Sequence, residues 1–204
     1  MTDRGILFVF SGPSGSGKGT ILSNYFEKYD DQNIKYSVSA TTRAPREGEV
    51  DGVNYYFIST KDFDNMIKNN ELLEWTCYCD NKYGTPLKAV TKMLDNGTDM
   101  LLEIETEGAV NVKKMYPDAV SIFVLPPSVT ELKHRLTGRA TEEKDVINKR
   151  IQTAIKEIGM ADQYDYVLLN DSLDSAVEGF RAIVMAERFK TNNNKNTISE
   201  VLKK

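Results

Sequence analysis

The residues best able to do chemistry in this 204-residue chain lie in its first quarter. Gly12-Pro13-Ser14-Gly15-Ser16-Gly17-Lys18-Gly19-Thr20 alternates glycine with small residues around one lysine. Glycines at this spacing let successive backbone N–H groups converge on phosphate oxygens, and Lys18 brings a point charge to β- and γ-phosphates. A plain Gly/Ser turn has no use for that lysine. Where the phosphate-loop motif has Ser or Thr after its lysine, a ligand for Mg2+, this chain has Gly19. Thr20 offers a hydroxyl one residue later. The expectation is a nucleoside triphosphate bound at Gly12 to Thr20 and used as a phosphoryl donor.

A second cluster follows. Ser37-Val38-Ser39-Ala40-Thr41-Thr42-Arg43-Ala44-Pro45-Arg46-Glu47-Gly48-Glu49, with Gly52 and Tyr55, gathers two arginines, several hydroxyls and an aromatic in one turn-rich stretch. Arg43 and Arg46 carry forked donors that match phosphate oxygens, and Tyr55 adds a hydroxyl donor. On its own this would read as a solvated charged loop. Beside a phosphate loop it reads as a grip on a second phosphate.

Elements must hold these loops in place. Gly5 to Phe10 is an apolar run without alternation, as expected of a strand buried on both faces of a parallel sheet. Similar runs recur at Met100 to Ile104, Ala119 to Leu125 and Tyr166 to Leu169, separated by helical spacing. That alternation predicts an α/β fold: a parallel sheet flanked by helices. Leu87, Val90, Met93 and Leu94 form a helical stripe that stops at Gly97, and Ser128 with Glu131 is a capping box. After Thr141, Glu142 and Glu143 suit a first turn, and Val146, Ile147, Ile151, Ala154, Ile155 and Ile158 form an apolar stripe. A last helix is expected from about Ser172 to Phe189, then a polar break at Asn192 to Asn196 and a short tail open to mobility. The stretch from about Tyr36 to Tyr83, around one short helix at Phe63 to Ile67, reads as an inserted lobe of mainly β character.

Composition sets limits. The formal charge of -4, from 26 basic and 30 acidic residues, argues against a general nucleic-acid or anionic-membrane binder, so attraction for phosphate must be local. Cys77 and Cys79, with His134 as the single histidine, supply no zinc set or disulfide framework and read as reduced thiols, with His134 on the surface. No stretch approaches the ~20 apolar residues of a membrane span. A cytoplasmic protein is expected.

The phosphate loop, the SVSATTRAPREGE string, the block Asn70-Glu71-Leu72-Leu73-Glu74-Trp75, Tyr83-Gly84-Thr85 and Asn170-Asp171 together resemble guanylate kinase, in order from about Ile6 to Arg188. The resemblance implies a nucleoside monophosphate kinase: a core (about 1–35, 95–127 and 160–190), an inserted GMP-binding lobe (about 36–94) and a helical lid (about 128–159), with residues 191–204 a polar tail. It implies transfer of a phosphoryl group from ATP to GMP, and to dGMP, with Mg2+. By position, Arg43, Arg46, Tyr55 and Tyr83 would hold the GMP phosphate. Ser39, Glu74, Thr85 and Glu105 would face guanine. Asn170 would lie near the adenine of ATP.

A carboxylate such as Glu74 suits guanine, whose pairing edge presents N1–H and N2–H2 donors. Glu103 and Glu105 stand where the family pattern has two aspartates, keeping sign and acceptor character with one more methylene each; Thr20 and Glu103 are the candidates to meet Mg2+ through water. Lys18, Arg43 and the lid arginines Arg135, Arg139 and Arg150 would stabilise the charge in transfer, with Gly138 as the lid's joint. Trp75 and Tyr78 are expected in the core. Two rivals share parts of the pattern. One is a non-catalytic interaction module that reuses the GMP lobe, which the intact Gly12 to Lys18 loop disfavours. The other is a different monophosphate kinase, which shares the Gly-Lys-Gly-Thr ending.

Overall fold

Five parallel strands form the central sheet of the computed structural model, which describes residues 3–78, 80–138 and 144–203. They are β1 (Leu7–Ser11), β2 (Ile34–Tyr36), β7 (Asp99–Glu103), β8 (Val120–Leu125) and β9 (Tyr166–Leu169), in the order β2-β7-β1-β8-β9. A second sheet, β4-β3-β6-β5, is mixed and comprises β3 (Ala40–Thr41), β4 (Tyr56–Phe57), β5 (Leu72–Tyr78) and β6 (Asn81–Pro86). The helices are α1 (Lys18–Lys28), α2 (Thr60–Lys68), α3 (Leu87–Asp95), α4 (Thr106–Met115), α5 (Val129–Gly138), α6 (Lys144–Ile158), α7 (Leu173–Arg188) and α8 (Lys195–Val201).

The alternation of side chains along β1 explains why it lacks polar positions. Phe8 and Phe10 face α1 and α7, where Leu22, Tyr25, Val177 and Phe180 meet them. Leu7 and Val9 face the opposite layer, built on Val90 and Leu94 of α3 and Ala109 and Val112 of α4. Both faces are covered, so an uninterrupted apolar run is required. In the second sheet Ala40 and Leu72 close over Phe63 of α2, and Leu132, Leu136, Ile151 and Ala154 bind α5 to α6 as a separate small core.

Several expectations need correction. β9 is an edge strand: Leu168 faces α7 and is buried, but Val167 and Leu169, on the opposite face, are half exposed. Trp75 is 44% exposed and not a core residue, since it projects from the face of β5 opposite buried Glu74. Ile155 is likewise exposed, one residue beyond the buried Ala154. The strand Ile34–Tyr36 belongs to the parallel sheet, pairing with β7 at Ile34 and Asp99, so Tyr36 ends a core strand. Part of the tail forms the helix α8, with the Asp3 carboxylate accepting from the backbone N–H groups of Asn196 (2.8 Å) and Thr197 (3.2 Å). His134 and Cys77 are exposed, and Cys77 is a free thiol. Cys79, Arg139, Glu142 and Glu143 lie outside the described residues, as do the side chains of Tyr78 and Val146.

One long-range clamp fixes the end of the sheet away from the loops. Arg188, in the last turn of α7, donates from Nε to Asp99 (2.7 Å) and from Nη1 to Asp31 (2.8 Å), while Asp99 also accepts from the backbone of Ile6 (2.7 Å). Among the described residues no helix is long and apolar enough to cross a membrane.

Candidate functional site

The glycine loop leaves β1 at Ser11 and enters α1 at Lys18 at the carboxyl end of the central strands, where anion sites of open α/β sheets form. Two of its glycines are obligatory. Gly12 has φ 145° and its missing Cβ would stand 2.5 Å from the carbonyl oxygen of Val124. Gly17, the residue before α1, has φ 92°, and a Cβ there would meet Asn170 Nδ2 at 2.4 Å. Asn170, at the end of β9, donates from that nitrogen to the carbonyl of Ser16 (2.8 Å), so it braces the loop directly. Lys18 folds back, donating to the carbonyls of Gly12 (2.5 Å) and Pro13 (3.3 Å). With no acidic residue in its first turn, α1 presents free N–H groups and a positive dipole end to an incoming anion.

The arginine loop is built differently. Arg43 follows β3 and is held on three sides: Nη1 and Nη2 donate to the two oxygens of Glu49 (3.0 and 2.8 Å), and Nη1 also donates to the carbonyl of Ala44 (2.8 Å). Its guanidinium lies over the rings of Tyr55 (5.4 Å) and Phe57 (5.8 Å). Glu49 accepts a third bond from the backbone of Arg46 (2.7 Å). The Arg43 bond, followed by that backbone bond, holds the Glu49 carboxyl below its ordinary range. Tyr55 in turn packs edge-on against Tyr83 of β6, ring centres 6.0 Å apart.

Where β5 and β6 meet the first turn of α4 a third group is buried. Glu74 is 7% exposed and accepts from the hydroxyl of Thr85 (2.7 Å), itself fully buried. Burial raises the Glu74 carboxyl above its ordinary range, against the opposing pull of Thr85. Gly108 makes the room: a Cβ there would stand 2.8 Å from Glu74 Oε2. Glu103, at the end of β7 opposite Phe10 of β1, is also raised by burial, while Lys18 pulls it down and Glu105 pushes it up.

Two cavities share these residues. One, about 370 Å3, is lined by Ser39, Tyr55, Glu74, Tyr83, Thr76 and Ile104 together with Lys18, Glu103 and Glu105. The other, about 610 Å3, runs along Ser14, Gly15, Gly17, Gly19 and Thr20 and again includes Lys18, Glu103 and Glu105. Gly19 matters to the second: the position of its Cβ would be 3.6 Å from Glu103 Oε1, so the carboxylate occupies the side where a serine would project.

Of the lid arginines, Arg150 of α6 donates from Nη2 to the hydroxyl of Ser14 (2.7 Å). Arg135 of α5 is bonded to Glu131 (2.9 Å) and lines a further hollow with Gly15, Gly17, Thr20 and Asn170. Both stand at the glycine loop. Glu49 and Gly108 are the residues that motif reading missed. Glu49 lay inside the arginine-rich string but drew no assignment, because a carboxylate next to a phosphate grip looks unfavourable until its bond to Arg43 is seen. No local signal marks Gly108.

Comparison with known proteins gives the family. The family model described as Guanylate kinase matches residues 4–187. The guanylate kinase of Halalkalibacterium halodurans is 52% identical over 188 residues, spanning 92% of this chain and 91% of that protein. That of Streptococcus thermophilus is 49% identical over 190 residues, spanning 93% and 90%. The crystal structure of guanylate kinase from Anaplasma phagocytophilum has a similar fold, with a TM-score of 0.75 at 32% identity over 95% of this chain and 91% of that one. The chain therefore belongs to the guanylate kinase family of nucleoside monophosphate kinases.

Proposed function

We propose that this chain transfers the γ-phosphoryl group of ATP to GMP, giving ADP and GDP. The observation that carries the reading is the meeting of the two cavities at Lys18, Glu103 and Glu105. One cavity runs along a loop built for a triphosphate, and the other contains a buried carboxylate suited to guanine.

The triphosphate lies along Gly12 to Thr20, with backbone N–H groups on its oxygens and Lys18 leaving its two carbonyls to meet the β- and γ-phosphates. Asn170 braces that loop from the adenine side. The GMP phosphate is taken by Arg43, Arg46, Tyr55 and Tyr83, and guanine by Glu74, Thr85, Ser39 and Glu105. The acceptor oxygen belongs to a phosphate that is already anionic, so no general base is required and positioning with positive charge carries the step. Arg135 and Arg150, with Arg139, supply that charge from the lid and exclude water, the competing acceptor.

Mg2+ fits the donor set: Thr20 and Glu103 offer hard oxygens on one cavity, and Mg2+ in such sites takes one or two protein oxygens with phosphates and waters. When bound it neutralises charge on the β- and γ-phosphates. The same proposal extends to dGMP, which carries the same base and phosphate as GMP. The reaction is placed in the cytoplasm, where both nucleotides are found.

A coupled assay for ADP with ATP, Mg2+ and each of GMP, AMP, CMP and UMP tests the reading. Turnover highest with GMP is expected. Turnover highest with AMP, or none with any acceptor, would overturn it.

A further inference from the structure

Glu157 lines neither cavity, yet it is bonded to the residue that directly follows Glu105. It lies in the last turn of α6, and its Oε1 accepts from Thr106 Oγ1 at 2.7 Å. Thr106 is 1% exposed and is the first residue of α4, directly after Glu105. The turn it opens is the one whose Gly108 leaves space for the Glu74 carboxylate. The bond therefore joins a lid helix to the wall of the base pocket.

The same helix touches the other nucleotide site. Arg150 precedes Glu157 by seven residues, two helical turns, so the two side chains leave one face of α6. Arg150 is bonded to Ser14 of the glycine loop. The helix between them thus spans from the triphosphate loop to the base pocket, with a hydrogen bond at each end. Burial raises the Glu157 carboxyl above its ordinary range, Thr106 opposes this, and Glu105 then raises it further.

We infer that Glu157 and Thr106 are positioning residues for the acceptor nucleotide: seating α6 on the core fixes the first turn of α4, and with it Glu105 and the space around Glu74. Neither residue touches the reacting atoms. Because α6 also bears Arg150, occupation of the glycine loop biases the same helix, so ATP and GMP should strengthen each other's binding through the Thr106–Glu157 bond. Such coupling is reciprocal.

This inference rests on the guanine reading of the pocket, so GMP turnover by the wild-type chain is measured first; its absence would count against that reading and not against the bond. Thr106→Val keeps shape and removes the donor, and Glu157→Ala removes the acceptor at a half-buried helix end that tolerates truncation. Thr106→Ser and Glu157→Gln keep the bond. Loss of one buried hydrogen bond predicts KM for GMP at saturating ATP about 5- to 10-fold higher in Thr106→Val and Glu157→Ala, with the Kd for an ATP analogue in the absence of GMP within about 2-fold. Thr106→Ser and Glu157→Gln should stay near wild type. In calorimetry with a non-hydrolysable ATP analogue, the first two variants should also lose the gain in GMP affinity that the analogue confers on wild type. Should Thr106→Val fail to fold, Glu157→Ala decides alone. Unchanged KM for GMP, an equal rise in the Kd for the ATP analogue alone, or Glu157→Gln behaving as Glu157→Ala would overturn the inference.

Discussion

The two loops proposed to grip phosphate are made of different material. At Gly12 to Thr20 the donors are backbone N–H groups, and the packing around them forbids side chains: the carbonyl of Val124 and the amide of Asn170 occupy the positions of absent Cβ atoms. At Arg43 and Arg46 the donors are side chains, and order comes from a carboxylate, Glu49, with two aromatic rings. A backbone grip is rigid once folded but admits almost no substitution. A side-chain grip starts flexible and must be immobilised by partners, so its precision can be weakened by residues that never touch the ligand.

That difference can be broken experimentally. The largest effect is expected from Lys18→Ala, which removes the one side-chain charge of the backbone grip: kcat should fall by ~10^2 or more while the melting temperature stays close to wild type. Near wild-type turnover would dissolve the distinction. Arg43→Ala should cost a similar factor of ~10^2, but in kcat/KM for GMP, with KM for ATP little changed. Glu49→Gln keeps the shape of the arginine loop and removes the charge that orders it, so KM for GMP should rise about 10-fold. If KM for ATP moved equally, the arginine loop would not be the acceptor grip.

Gly108→Ala should lower kcat/KM for GMP by a further modest factor of about 5, because its methyl must displace the Glu74 carboxylate. The smallest effect is one of pH. In the proposed reading Glu74 accepts from both N1–H and N2–H2 of guanine, which needs its ionised form, and its carboxyl is raised by burial. Its ionised form is complete above that raised value and is lost as pH falls through it. KM for GMP should therefore climb on the acid side sooner than an ordinary glutamate near 4.5 would allow, with KM for ATP flatter over the same range.

The legible parts of the molecule were those written in contiguous residues. β1, the glycine loop and α1 follow one another without interruption, and local spacing specified all three. The arginine string could be read as a candidate phosphate grip for the same reason. Features made by distant residues were not legible. Ile34–Tyr36 has only three residues, of which one is buried, and becomes a sheet strand only by pairing with β7. Trp75 looked like a core residue because size and aromaticity favour burial, but β5 turns Glu74 inward instead, and strand alternation then sends Trp75 out. The Arg188 clamp joins residues 157 positions apart at Asp31, and the Thr106–Glu157 bond spans 51. Neither pair leaves a periodic trace.

The Asp3 contact with α8 has a topological consequence. Asp3 sits against the backbone of Asn196 and Thr197, so the two ends of the fold are neighbours in space although 193 residues apart in sequence. A short glycine-serine bridge could join them and new ends be opened in an exposed stretch such as Glu47 to Gly48. Such a circular permutant would keep the glycine loop continuous with β1 and α1 while cutting the arginine loop between Arg46 and Glu49, parting Arg43 from its carboxylate partner along the chain with every side chain retained.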